Sequence, residues 1–265
     1  MSPFHRINCF FCASVAVLIS PSGAAWAQAP GGDGSGTVGI TATSRSEYAG
    51  SQGQTLSLRP SLNYQWANGW FAGTERGVGY GFAPKSAGPS PAVQYGVLLG
   101  ADLGRKAGDS DRLKGMGDVD ARPELGGFVS YALAPPLRLT SSLRYGSGNN
   151  SDGAQLNFNA TYSMEVAPGW RASLNASTSL ANASYMQSYF GVSQTQSGSS
   201  GYAVYSPGAG FKDVSGGLTL SYQLNPRTSI NTGLSASALL GDARTSPLTQ
   251  KPNSISGSLG LRYGF

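Results

Sequence analysis

An alternation of period two, recurring in long segments after residue 34, constrains this chain most. Leu56, Leu58, Pro60, Leu62, Tyr64 and Trp66 alternate with Ser57, Arg59, Ser61, Asn63 and Gln65. Ala154, Leu156, Phe158, Ala160, Tyr162, Met164 and Val166 alternate with Gln155, Asn157, Asn159, Thr161, Ser163 and Glu165. The stretches 137–145 and 254–265 repeat the pattern. Successive side chains of a strand point to opposite faces, so each segment predicts a strand with one apolar and one polar face. A soluble sandwich alternates too, but its strands run about 5–6 residues. The segments here reach the roughly 9–11 residues with which a tilted strand crosses a bilayer. The apolar face then meets lipid and the polar face lines a lumen. Charged residues are only 12% of the 265, about half the ~25% of soluble domains. No uncharged apolar run approaches the ~18 residues that mark a spanning helix. The predicted fold is all-β: a transmembrane antiparallel up-and-down β-barrel.

Connection lengths predict its topology. Ala67-Asn68-Gly69, Ala134-Pro135-Pro136, Ala167-Pro168-Gly169 and Asn225-Pro226 are short turns, whereas 47–53, 105–120, 146–152, 182–212 and 241–252 are long and polar. Barrels of this kind keep short turns in the periplasm and long loops outside. Trp66, Trp70, Tyr131, Trp170, Tyr222, Tyr263 and Phe265 lie near the short turns or the C-terminus and predict the periplasmic aromatic girdle. Read as one strand, 70–82 gives an odd count, which single-chain bacterial barrels avoid. A tight outer turn at Glu75-Arg76-Gly77 divides it and makes 84–92 a periplasmic connection. Twelve strands result, at about 36–46, 54–66, 70–75, 77–83, 93–104, 121–133, 137–146, 153–166, 170–181, 213–224, 228–240 and 254–265. Ten is the alternative.

Residues 1–27 read as an export signal. His5 and Arg6 form a basic start, Phe10–Ser20 an apolar stretch, and Ala25-Trp26-Ala27 an A-x-A site that places cleavage between Ala27 and Gln28. Residues 28–265 are then the barrel, in the outer membrane of a Gram-negative envelope. Removing 27 of 265 residues leaves 238, and takes with it Cys9, Cys12 and the chain's one histidine, His5. Disulfides, thiolate nucleophiles, imidazole bases and His- or Cys-bound metals go together. No catalytic, cofactor or metal site is expected. The mature charge, 17 basic against 13 acidic residues, forms no clustered patch, which argues against nucleic acid.

Alternation turns Arg59, Arg138, Arg144, Arg171 and Arg262 into the lumen, with Glu124 and Glu165 as plausible partners. Structural ion pairing explains them without catalysis, and a selective solute path is the rival. Replacing Arg138 or Arg144 by Leu is then expected to leave insertion largely intact. Gly77-Val78-Gly79-Tyr80-Gly81 lacks the lysine and helix of a phosphate loop, and strand curvature explains it better. In 105–120, Arg105, Lys106, Arg112 and Lys114 balance Asp109, Asp111, Asp118 and Asp120, which predicts a solvated, self-paired loop. The spacing of Asp118 and Asp120 is not that of an EF-hand.

Five segments resemble the MipA/OmpV family of outer-membrane proteins, named for MltA-interacting protein. They are Gly104–Lys106 leading into Arg112–Asp120, Tyr185–Ser193, Gly208–Gly216, Leu239–Pro247 and the terminal Leu259–Phe265. The resemblance implies an outer-membrane barrel without known catalysis. It also implies a scaffold between a periplasmic murein hydrolase, a lytic transglycosylase, and a peptidoglycan synthase. Outer-membrane lipid and lipopolysaccharide are the remaining expected partners. A periplasmic scaffold needs periplasmic surface, and the predicted topology leaves little beyond the short turns and 84–92. A small channel for a modest solute is the alternative function.

Overall fold

The computed structural model describes residues 34–82 and 93–265. The proposed signal segment, its Ala27–Gln28 cleavage point and the 84–92 connection lie outside the described residues.

Twelve strands form among the described residues. They are β1 (Gly34–Ser46), β2 (Gln54–Trp66), β3 (Trp70–Gly73), β4 (Gly77–Gly81), β5 (Val93–Asp102), β6 (Arg122–Ala134), β7 (Leu137–Ser147), β8 (Gly153–Ala167), β9 (Trp170–Ala181), β10 (Gly210–Asn225), β11 (Thr228–Leu239) and β12 (Asn253–Gly264). Each pairs antiparallel with its chain neighbours, and β1 closes on β12 from Thr37↔Gly264 to Ser44↔Gly257. The chain is therefore an up-and-down barrel of twelve strands, as the alternation and turn lengths predict.

Side-chain exposure divides the barrel into two faces. Leu56, Leu58, Leu125, Leu143, Leu234, Ile255 and Leu259 are exposed outward, although each lies inside a strand. An apolar belt of this kind is the surface of a membrane-spanning barrel, whose strands satisfy one another's backbone groups. The predicted girdle residues are exposed at the short-turn end, where Trp170 packs on Tyr222 and Tyr64 on Phe265. The turns there use local chemistry. Gly69 and Gly169 have φ of +102° and +75°, and Asn225 Oδ1 accepts from the amides of Arg227 and Thr228, both at 3.0 Å.

Two departures from expectation stand out. The turn after β3 is tight, with φ of +81° at Gly77, but it does not reach the barrel's loop end. Thr74 N donates to Leu62 O at 2.9 Å, which places the hairpin tip part-way up the wall. Second, β10 begins at Gly210, three residues before the expected strand start at Asp213, so Lys212 joins Asp213 in the strand. A bulge between Phe211 and Asp213 turns both inward. Such an irregularity breaks the period that locates strands in sequence.

The buried hydrophobic clusters sit at the loop end, in the loops and the adjoining strand ends. Three short helices, α1 (Ala183–Phe190), α2 (Gln194–Ser200) and α3 (Gly241–Thr245), pack over the loop end. Ala181, Tyr185, Met186, Phe190, Leu239 and Ala243 form one buried cluster, and Met116, Val192 and Leu248 a second. Asn182 caps α1 by accepting from Tyr185 N at 2.9 Å, and Ser193 and Gln196 form a capping box on α2.

Candidate functional site

The candidate site is the lumen together with the cap over its loop end. Arg59, Arg138, Arg144, Arg171 and Arg262 fall on the inward parity of their strands, opposite the exposed leucines. Glu124 is 3% exposed, and Arg144 Nη1 donates to its Oε2 at 3.5 Å. Arg171 lies opposite Glu165 in the β8–β9 register, but Glu165 is exposed at the turn end. Arg138 donates from Nη1 to Ser130 Oγ at 3.3 Å. Arg262 lies opposite Gly39 and Ser229. The seven positions are thus spread around the wall, and the structure brings Glu124 and Arg144 together in an ion pair.

A denser polar cluster, missed in sequence, lies beneath the cap. Asp102 is buried, and its Oδ2 accepts from Tyr189 Oη at 2.5 Å and from Gly148 N at 3.3 Å. Arg105 Nη1 donates to Tyr189 O at 2.7 Å. Tyr189 stacks on Tyr185, with ring centres 4.6 Å apart, and Lys212 Nζ lies 5.2 Å from the centre of the Tyr185 ring. Lys212 also pairs with Asp213 at 3.1 Å, while Asp213 accepts from Ser179 Oγ at 2.6 Å. These groups come from β5, the 103–121 loop, α1, β9 and β10, so no linear spacing announces them. Burial pushes the Tyr185 hydroxyl up to about 12, and burial also raises that of Tyr189. Both phenols are therefore held neutral, as hydrogen-bonding struts rather than acids.

The loop 105–120 is self-paired as expected: Lys106 meets Asp118 at 3.1 Å and Asp120 at 3.2 Å, and Lys114 meets Asp111 at 2.7 Å. It is less solvated than expected, because Arg105, Leu113, Met116 and Val119 are buried. Gln196 Nε2 donates to Met116 O at 2.6 Å, Ser246 Oγ to Phe190 O at 2.6 Å, and Tyr205 Oη to Asp242 O at 2.9 Å. Four of the five resembling segments thus meet in one cap. Among the described residues, no three His, Cys, Asp or Glu side chains gather to hold a metal.

The family model of the MltA-interacting protein MipA matches residues 38–265. No curated protein matches in a sequence search. Among solved structures the chain is similar to the NanC porin, with 10% identity and a TM-score of 0.46, covering 85% of this chain and 98% of that one. It is similar to the KdgM porin, with 11% identity and a TM-score of 0.46 over 86% and 99%. An outer-membrane channel from Pseudomonas putida follows, with 12% identity and a TM-score of 0.44 over 92% and 99%. At these scores the likenesses add nothing to the architecture described above.

Proposed function

The chain belongs to the MltA-interacting protein MipA family, and from that premise we propose that it is a non-enzymatic outer-membrane barrel that organises murein-remodelling enzymes. The short-turn end faces the periplasm and docks a murein hydrolase of the MltA kind, and residues 1–27 direct export. The observation that carries this reading is the packed cap. Phe190, Leu113, Met186 and Leu248 are fully buried in it, so the loop end is built as a closure with its own core rather than as an open mouth. The family's name supplies the partner class, and the aromatic rim supplies a rigid surface at the opposite end.

Affinity capture tests it. The purified barrel, immobilised through the cap, is expected to retain a purified lytic transglycosylase of that class, and substitutions of Asn68 and Arg227 at the short turns to reduce retention. Equal retention by an unrelated barrel overturns the reading. A small channel is the second reading, favoured by the inward arginines. Steady single-channel conductance in a planar bilayer supports it, and a silent barrel removes it.

A further inference from the structure

Among the described residues, the barrel wall is incomplete over part of its height. β2 runs 13 residues, yet it pairs with β3 only over Asn63–Gln65. β5 runs 10 residues, yet it pairs with β4 only over Gly96–Leu99. From the β3–β4 tip to the loop end, no strand among the described residues lies between β2 at Gln54–Ser61 and β5 at Gly100–Asp102. Three interstrand spacings separate the two edges, about 14 Å.

The edge chemistry is that of an opening. Thr74 N donates to Leu62 O at 2.9 Å and Leu62 N to Thr74 Oγ1 at 3.3 Å, so the even-numbered residues of β2 aim their backbone groups at this side. The next is Pro60, which has no N–H to leave unpaired. Leu58 and Leu56 follow, with no strand partner on this side among the described residues. Bare strand edges are not tolerated against hydrocarbon, only where they border a water-filled cavity. The gap is therefore wet and continuous with the lumen, while its outer jambs, Leu56, Leu58, Leu99 and Leu103, are apolar and exposed.

At the sill, Arg76 turns inward, its guanidinium 4.3 Å from the centre of the Phe71 ring and 5.9 Å from that of Phe128. Arg76, Leu98, Phe128 and Arg138 line one pocket. Neither arginine forms an ion pair among the described residues, and Arg138 Nε is buried without an acceptor. Two guanidinium groups against an aromatic wall suit a ligand with an anionic head and an apolar body.

We propose that this gap is a lateral portal through which a long-chain carboxylate passes between the loop-end leaflet and the lumen. Arg76 and Arg138 hold the head, Phe71, Leu98 and Phe128 hold the first part of the chain, and the rest trails between β2 and β5. A neutral chain leaves both cations without a counter-charge. An alkyl phosphate shares the anionic head, so it forms the comparison.

Palmitate titrated calorimetrically into the purified full chain in detergent is expected to bind. Arg76→Gln and Arg138→Gln are each expected to weaken it about tenfold, with Lys251→Gln unchanged. Arg76→Lys, which keeps the charge but loses the fork, is expected to fall between, and covers the case in which Arg76→Gln does not fold. In a chain with Cys9 and Cys12 replaced by Ser, palmitate is expected to slow maleimide labelling of Ala101→Cys at the portal edge but not of Ser199→Cys in the cap. Equal palmitate affinity in the arginine variants, or unchanged labelling at position 101, overturns the portal. Binding of dodecyl phosphate without palmitate overturns the carboxylate assignment.

Discussion

Glu124 and Leu156 show how parity decides what a substitution costs. Glu124 is 3% exposed with Arg144 as its ion-pair partner, so Arg144→Leu strands a carboxylate inside the wall. Removing one member of such a buried pair costs about 3–5 kcal/mol. Denaturant unfolding in detergent is expected to show a loss of that order, largely recovered when Glu124→Gln is added. Arg138, with a hydroxyl and no carboxylate as partner among the described residues, is expected to tolerate Leu. The structure thus separates two arginines that alternation treats alike. Leu156 is the fourth residue of β8, on the outer parity opposite Leu143 and Leu180 and toward the loop end. Leu156→Arg is expected to destabilise the barrel, by less than the ~2–4 kcal/mol of an arginine at the bilayer midplane, read in the same unfolding experiment.

The cap is the element whose stability depends on pH. A hydrogen bond from Ala107 N, then one from Lys106, holds the Asp118 carboxyl below its usual range. Its contribution is present above the unfolded carboxylate value and is lost as pH falls through the lowered folded value. At the other extreme, burial pushes the Tyr48 and Tyr185 hydroxyls up to about 12. Their contribution is complete below the unfolded tyrosine value of about 10 and fades as pH rises toward 12. Limited proteolysis across pH is expected to cut 105–120 first in acid, and 182–209 first in strong alkali, while the strands stay protected. The helices α1 to α3 were not legible beforehand. They are short, carry no long apolar period, and owe their existence to packing over the loop end.

For the molecule as a whole, closure dominates. Every strand has a partner on both sides over at least part of its length, so unfolding must break the ladder cooperatively. The protein is expected to fractionate with outer membranes and to shift mobility on gels only after boiling; solubility without detergent contradicts the barrel. Orientation has its own test, because the segment after Gln28 contains no cysteine. Cysteines at Ser110 and Ser199 are expected to react with an impermeant maleimide on intact cells. Those at Ala134 and Pro226 are expected to react only after permeabilisation. The opposite pattern reverses the barrel in the membrane, and with it the docking face proposed for the hydrolase.

Strand number, order and facing were determined by the sequence itself, because a period of two is a local property and a one-residue slip would put every leucine in the lumen. Even the division of 70–82 followed from parity and from Gly77. The depth of that hairpin did not, since nothing in Trp70–Gly81 states how far its neighbours extend. Only the assembled wall reveals that β2 and β5 outrun the pair between them. The cluster of Asp102, Tyr189, Lys212 and Asp213 was hidden for the same reason. Its members are 87 residues apart between Asp102 and Tyr189, and burial that makes a polar group matter arises only when distant segments close over it.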